Sequence, residues 1–164
     1  MKRKTLIVLG IAIMLALAVV TVAQALGQSD LARVRKATAQ FQSTEAARAA
    51  GYDLVPGLDY CFDNPGVGGM GFHYINTSIL DTTIELLRPE AMVYAPTRKG
   101  LELGAVEYIV PAAAWDAEHD EMPELLGHHF HLNEALGVYV LHAWIWKTNP
   151  AGVLEDWNPR VSCP

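Results

Sequence analysis

Two stretches rich in β-branched and aromatic residues, Leu101 to Val110 and Leu136 to Lys147, dictate most of what this chain can become. Such residues favour strands, and successive side chains of a strand point to opposite faces of the sheet. In the first stretch the face bearing Leu101, Leu103, Ala105 and Ile109 also bears Glu107. In the second, the face bearing Val138, Val140, Trp144 and Trp146 also bears His142. Each strand therefore sends one ionisable group into apolar surroundings, which is costly unless that group is paired or binds a metal.

The rest of the chain supplies a cover and further strands. From Ser29 or Asp30, either a good N-cap, to about Gln42, Leu31, Val34 and Phe41 recur at helical spacing, and a second helical piece runs from about Thr44 to Gly51. Pro56 to Gly71 has loop chemistry and lacks the Lys-Ser/Thr ending of a phosphate loop, so no nucleotide site is read there. Met70 to Ile75 reads as a short strand with Met70, Phe72 and Tyr74 on one face and His73 and Ile75 on the other. Ala91 to Ala95 and Leu101 to Val110 form a hairpin through Pro96 to Gly100. Helices followed by strands predict an α+β domain, with an N-terminal helix or helix pair packed on an antiparallel sheet that could curl into a partial barrel.

Lys2 to Lys4, the apolar run Leu6 to Val22 and Ala23-Gln24-Ala25 have the layout of an export signal. Residues 1–25 are read as a signal peptide cleaved before Leu26, and residues 26–164 as a single extracytoplasmic domain, secreted or periplasmic. Retention of the apolar run as a membrane anchor is the alternative. Removing Lys2, Arg3 and Lys4 from 12 basic residues leaves 9 against 18 acidic ones, a balance that argues against nucleic acid as a partner. The two cysteines, Cys61 and Cys163, are then expected to form one disulfide pinning the C-terminal tail, since the compartment is oxidising.

All six histidines lie between positions 73 and 142. If neighbouring strands bring His73, Glu107 and His142 together, they form a two-histidine, one-carboxylate set of the kind that leaves positions open on a metal. His131, or His129 on the same face, could provide a fourth ligand. The predicted metal ligands are thus His73, Glu107, His131 and His142, and the predicted cofactor is a transition metal ion such as zinc, copper or iron. An enzyme built on this set would use the metal to activate water or oxygen, or Glu107 as general base. The competing reading is a metal-free ligand-binding or structural domain in which Glu107 and the histidines form a buried hydrogen-bonded network. Met70, three residues before His73, is read as core filler. No His-Glu-x-x-His helix or Cys-x-x-Cys pair is present, no Ser-His-Asp arrangement is readable from the sequence, and Asp116 to Asp120 lacks the glycine and closing glutamate of a calcium loop.

The runs Gly71-Phe72-His73-Tyr74-Ile75-Asn76 and Ala105-Val106-Glu107-Tyr108, with the ending from Leu141-His142-Ala143-Trp144 through Asp156-Trp157-Asn158-Pro159 to Cys163, resemble an uncharacterised group of exported bacterial proteins. The resemblance covers most of the mature chain. It implies bacterial export and a shared domain, and carries over no activity.

Overall fold

A computed structural model describes residues 28–164. The predicted signal peptide, residues 1–25, lies outside the described residues. Residues 28–38 are helical (α1), and a 3₁₀ turn at Ala39–Phe41 leads into α2, Thr44–Ala49, whose first turn is capped by the Ser43 hydroxyl accepting from Ala46 N at 3.2 Å. Nine strands follow: β1 Asp53–Leu54, β2 Phe62–Asn64, β3 Gly68–Ile75, β4 Ala91–Thr97, β5 Gly100–Pro111, β6 Glu124–Leu125, β7 His128–His129, β8 His131–Asn133 and β9 Val138–Ala143. A short helix, α3, Ala112–Asp116, opens the acidic segment after β5.

The architecture is α+β, dominated by one antiparallel sheet of order β1-β3-β4-β5-β9-β8, with β2 also on β3. The partial barrel is corrected. The edges β1 and β8 are two and three residues long, and among the described residues no pairing joins them, so the sheet stays open. The predicted hairpin is the β4–β5 pair, turning at Arg98 and Lys99.

One sheet face buries the main core, in which Val34, Phe41 and Ala47 of the helical segment pack with Tyr94, Val106, Tyr108 and Leu141. Buried tyrosines reach out of this core: Tyr94 OH donates to Phe41 O of the helical segment at 2.7 Å, and Tyr108 OH to Leu86 O of the irregular segment before β4 at 2.7 Å. Trp146 Nε1 donates to Thr38 Oγ1 at 3.1 Å, while the Arg35 guanidinium lies 4.1 Å over the Trp146 ring and donates to Ile145 O.

The opposite face carries two smaller clusters, Val93-Ala95-Ala105-Trp144-Val161 and Ala91-Ile109-Val140. Strict alternation fails at two places on the way to it. Opposite Val93 and Tyr94, β5 carries an extra residue, so that Ala105 faces the cluster of Val93 and Trp144 while Leu103 and Leu101 turn back into the main core. Gly104 occupies this bulge, where a Cβ would stand 3.2 Å from the Trp144 ring. In β3 the register slips beside Met70, and Gly71 takes φ +111° with the Tyr94 carbonyl 2.3 Å from where a Cβ would be. Met70 therefore packs with Val93 and Trp144 rather than with Phe72 and Tyr74. Trp146 lies beyond the end of β9 and joins the main core, not the face of His142.

Glu90, buried next to β4, accepts from Ile109 N at 3.0 Å. Burial pushes its carboxyl up to about 7 from an ordinary 4.5, with the Ile109 amide opposing the shift. Below the unfolded value both states are protonated; between the two values only the unfolded chain ionises, so stability falls as pH rises and the full cost is present above the folded value. Glu90→Gln keeps the acceptor and removes the charge. It is expected to stabilise the fold by roughly 2 kcal/mol at pH 8, allowing for partial solvation, and to be near neutral at pH 4. Urea melts of both proteins at the two pH values measure this.

Candidate metal centre

The register of the sheet assembles the site. Glu107 on β5 pairs directly with His142 on β9, and on the other side of β5 it faces Ala91 of β4. His73 on β3 pairs with Val93, one row along from Ala91. Because Ala91 reaches only one carbon above the sheet, the longer side chains from β3 and β5 can meet over it. His73 Nε2 and His142 Nε2 stand 3.3 Å apart, and the Glu107 carboxylate faces both, with oxygens 3.6 Å from His73 Nε2 and 3.5 Å from His142 Nε2. The three side chains are at most 7% exposed, and they form a group that could hold a metal ion.

Two nitrogens each about 2.0 to 2.1 Å from a tetrahedral centre are about 3.3 to 3.4 Å apart, so the observed nitrogen separation is that of two ligands on one ion. A metal-free network fits less well. His142 Nδ1 lies 3.0 Å from Asp156 Oδ1, which makes Nδ1 the donor and leaves the Nε2 lone pair free in the neutral ring. His73 Nε2 could then donate to His142 Nε2, and His73 Nδ1, buried without a partner among the described residues, does not separate the two readings because it is the far nitrogen in both. Both Glu107 contacts are too long for good hydrogen bonds.

Electrostatics bear on the same point. Burial, reinforced by the nearby His142 ring, pushes His73 down to about 3, so it stays neutral with a lone pair to give. Burial pushes Glu107 up to about 7, against the pull of His142 and with Asp156 adding repulsion. Burial also opposes charge on His142, yet the Glu107 and Asp156 carboxylates outweigh it and raise this ring. Asp156 moves down despite burial, because His142 and His131 both donate to it. A cation placed between the nitrogens would take over from the His142 ring the compensation of the Glu107 carboxylate.

Of the four predicted ligands, the structure gathers His73, Glu107 and His142. His131 shares the face, pairing with Val140, but its Nδ1 lies 2.9 Å from Asp156 Oδ2, so it acts through Asp156 rather than standing in the group. His128 and His129 are exposed on β7, and exposed His119 stacks on Trp115 at 3.8 Å between centroids.

Sequence reasoning missed Asp156. It lies in an irregular tail, where no periodicity reports which way a side chain points. The tail is held by Trp144 Nε1 donating to Glu155 O at 2.7 Å, by Asn149 Nδ2 donating to Trp157 O at 3.1 Å, and by Gly69 and Asn158 exchanging backbone hydrogen bonds. The expected Cys61–Cys163 disulfide closes it, with Cα atoms 5.6 Å apart. A carboxylate that accepts from the far nitrogen of a histidine fixes its tautomer and raises its basicity as a ligand. Asp156→Ala is therefore expected to weaken metal binding about 10- to 100-fold, with Asp156→Asn recovering part of the loss because it still accepts from Nδ1. Competition titrations against a chelating dye would measure both.

The group opens onto a cavity of about 620 Å³, walled by Phe62, Ile75, Leu80, Ile109, Val138 and Trp157, with His131 and Asp156 on its polar side. Among the described residues no helix is long and apolar enough to cross a membrane. No protein-family model, curated protein or solved structure matches the chain.

Proposed function

We propose that this chain is an exported domain that binds one divalent transition metal through His73 Nε2, His142 Nε2 and the Glu107 carboxylate, with Asp156 orienting His142. The observation that carries this reading is the convergence of two buried imidazole nitrogens, 3.3 Å apart, on a carboxylate that hydrogen-bonds to neither. Three protein donors leave at least one position on the ion open to the cavity, the arrangement of reactive and ligand-binding sites rather than of closed structural ones. The donor set of two imidazoles and one carboxylate suits zinc, ferrous iron or cupric copper; both cysteines are committed to the disulfide, which leaves no thiolate for a blue-copper type of site. The disulfide also supports an extracytoplasmic location.

The test is elemental analysis of protein exported to a periplasm and purified without an affinity tag, beside His142→Ala. Near-stoichiometric metal in the parent, lost in the variant, is the expected result. Parent protein that stays empty after incubation with zinc, copper and iron would overturn the reading and leave the metal-free domain.

A further inference from the structure

The group divides its face of the sheet into two unlike halves. On one side lie Ala105 and Trp144, two residues from Glu107 and His142 on their strands, packed with Val93 and closed over by Val161 of the tail. On the other side lie Ile75, Ile109 and Val140, each two residues from a member of the group and facing the same way along the sheet. This second half is not closed over. Ile75, Ile109 and Val140 line the cavity, and Leu132 and Leu136, 47% and 45% exposed, stand at it with no apolar cover. The apolar floor thus starts at the group and runs in one direction only.

We infer that the cavity takes an amphipathic small molecule with a single anionic oxygen headgroup, a carboxylate, seated on the metal between His73, Glu107 and His142, with its apolar tail along Ile75, Ile109 and Val140. The inference rests on the metal reading and adds the class of ligand. Volume permits it, since 620 Å³ falls within the range of small-molecule sites. Apolar walls with a few convergent polar groups at one end match a ligand of that polarity. Charge selects the headgroup. A divalent ion cancels the Glu107 and Asp156 carboxylates and keeps an open coordination face, so an anionic oxygen can complete it. Without the ion, the same end of the cavity presents Glu107 and Asp156 and would repel a carboxylate. Binding of this ligand class is therefore expected to require metal, which a general greasy pocket would not.

Cobalt(II)-loaded protein, whose visible absorption reports on the coordination sphere, would be titrated with acetate, octanoate and octanol. Octanoate binding to metal-free protein would be followed by tryptophan fluorescence, because Trp157 lines the cavity. Octanoate is expected to change the cobalt spectrum and to bind at least about 30-fold more tightly than acetate, its six further methylenes being buried. Octanol should leave the spectrum unchanged, and loss of cobalt should weaken octanoate at least tenfold. Equal affinity for acetate and octanoate would overturn the tail assignment, and equal octanoate affinity with and without cobalt would overturn the headgroup assignment; both leave the metal reading standing. Folded protein that takes up no cobalt would instead overturn the metal reading and this inference with it.

Discussion

Replacing both cysteines, Cys61→Ser with Cys163→Ser, is expected to cost about 4 to 5 kcal/mol of stability and to weaken metal binding as well. The bridge spans 102 residues, and closing a loop of about that length removes about 4.7 kcal/mol of chain entropy from the unfolded state. This is an upper figure, because a compact unfolded chain has less entropy to lose. For a domain of this size it corresponds to a fall in melting temperature of roughly 15 °C. The second effect follows from position. Cys163 anchors the end of the tail that carries Asp156 and Trp157, beside the β2 strand that starts at Phe62. Phe62 and Trp157 both wall the cavity, and Asp156 orients His142. The tail keeps its backbone bonds to Gly69 in the variant, so the site loosens rather than disappears. Chemical denaturation with and without metal separates the two effects. A loss below about 1 kcal/mol would mean that those hydrogen bonds already hold the tail without the bridge.

How far the site was legible in the sequence depended on regular backbone. Glu107 and His142 sit in the middle of strands whose other residues alternate cleanly nearby, so period two placed each on a buried face, and the register then set them opposite one another. His73 was legible for the same reason. Alternation failed where the backbone departs from it. The extra residue at Gly104 turned Leu101 and Leu103 to the other face, and the kink at Gly71 did the same for Met70. Gly71 lies where the Tyr94 backbone comes too close for a Cβ, and Gly104 where the Trp144 ring would stand only 3.2 Å from one, tertiary facts with no local signature. Asp156 lies beyond the reach of periodicity altogether, since hydrogen bonds from Trp144, Asn149 and Asn158 rather than a repeat aim its segment. The distinction between His131 as ligand and His131 as a partner of Asp156 required that tail to be in place.

Adding zinc at about a thousandfold excess over its dissociation constant is expected to stabilise the parent protein by about 4 kcal/mol. The melting temperature would rise by roughly 10 to 15 °C. The size of the effect comes from how exclusively the folded state offers the site. His73, Glu107 and His142 belong to three separate strands, β3, β5 and β9, and converge only once β4 lies between the first two and β9 has paired with β5. In the unfolded chain they are far apart, and scattered histidines bind zinc weakly, so nearly all the binding energy appears as folding stability. Glu107→Gln keeps the size of the side chain but removes the charge that balances the ion, and should lose more than half the zinc-dependent shift. His142→Ala should lose nearly all of it. The comparison is made between melts with and without zinc for each protein, so any change in the metal-free stability of a variant cancels. Removing an ionisable group from this interior could itself stabilise the metal-free fold, because a buried carboxylate facing two imidazoles without hydrogen bonds is a cost when no cation is present. A variant more stable than the parent without zinc and less stable with it would place that cost and its compensation at the same three residues.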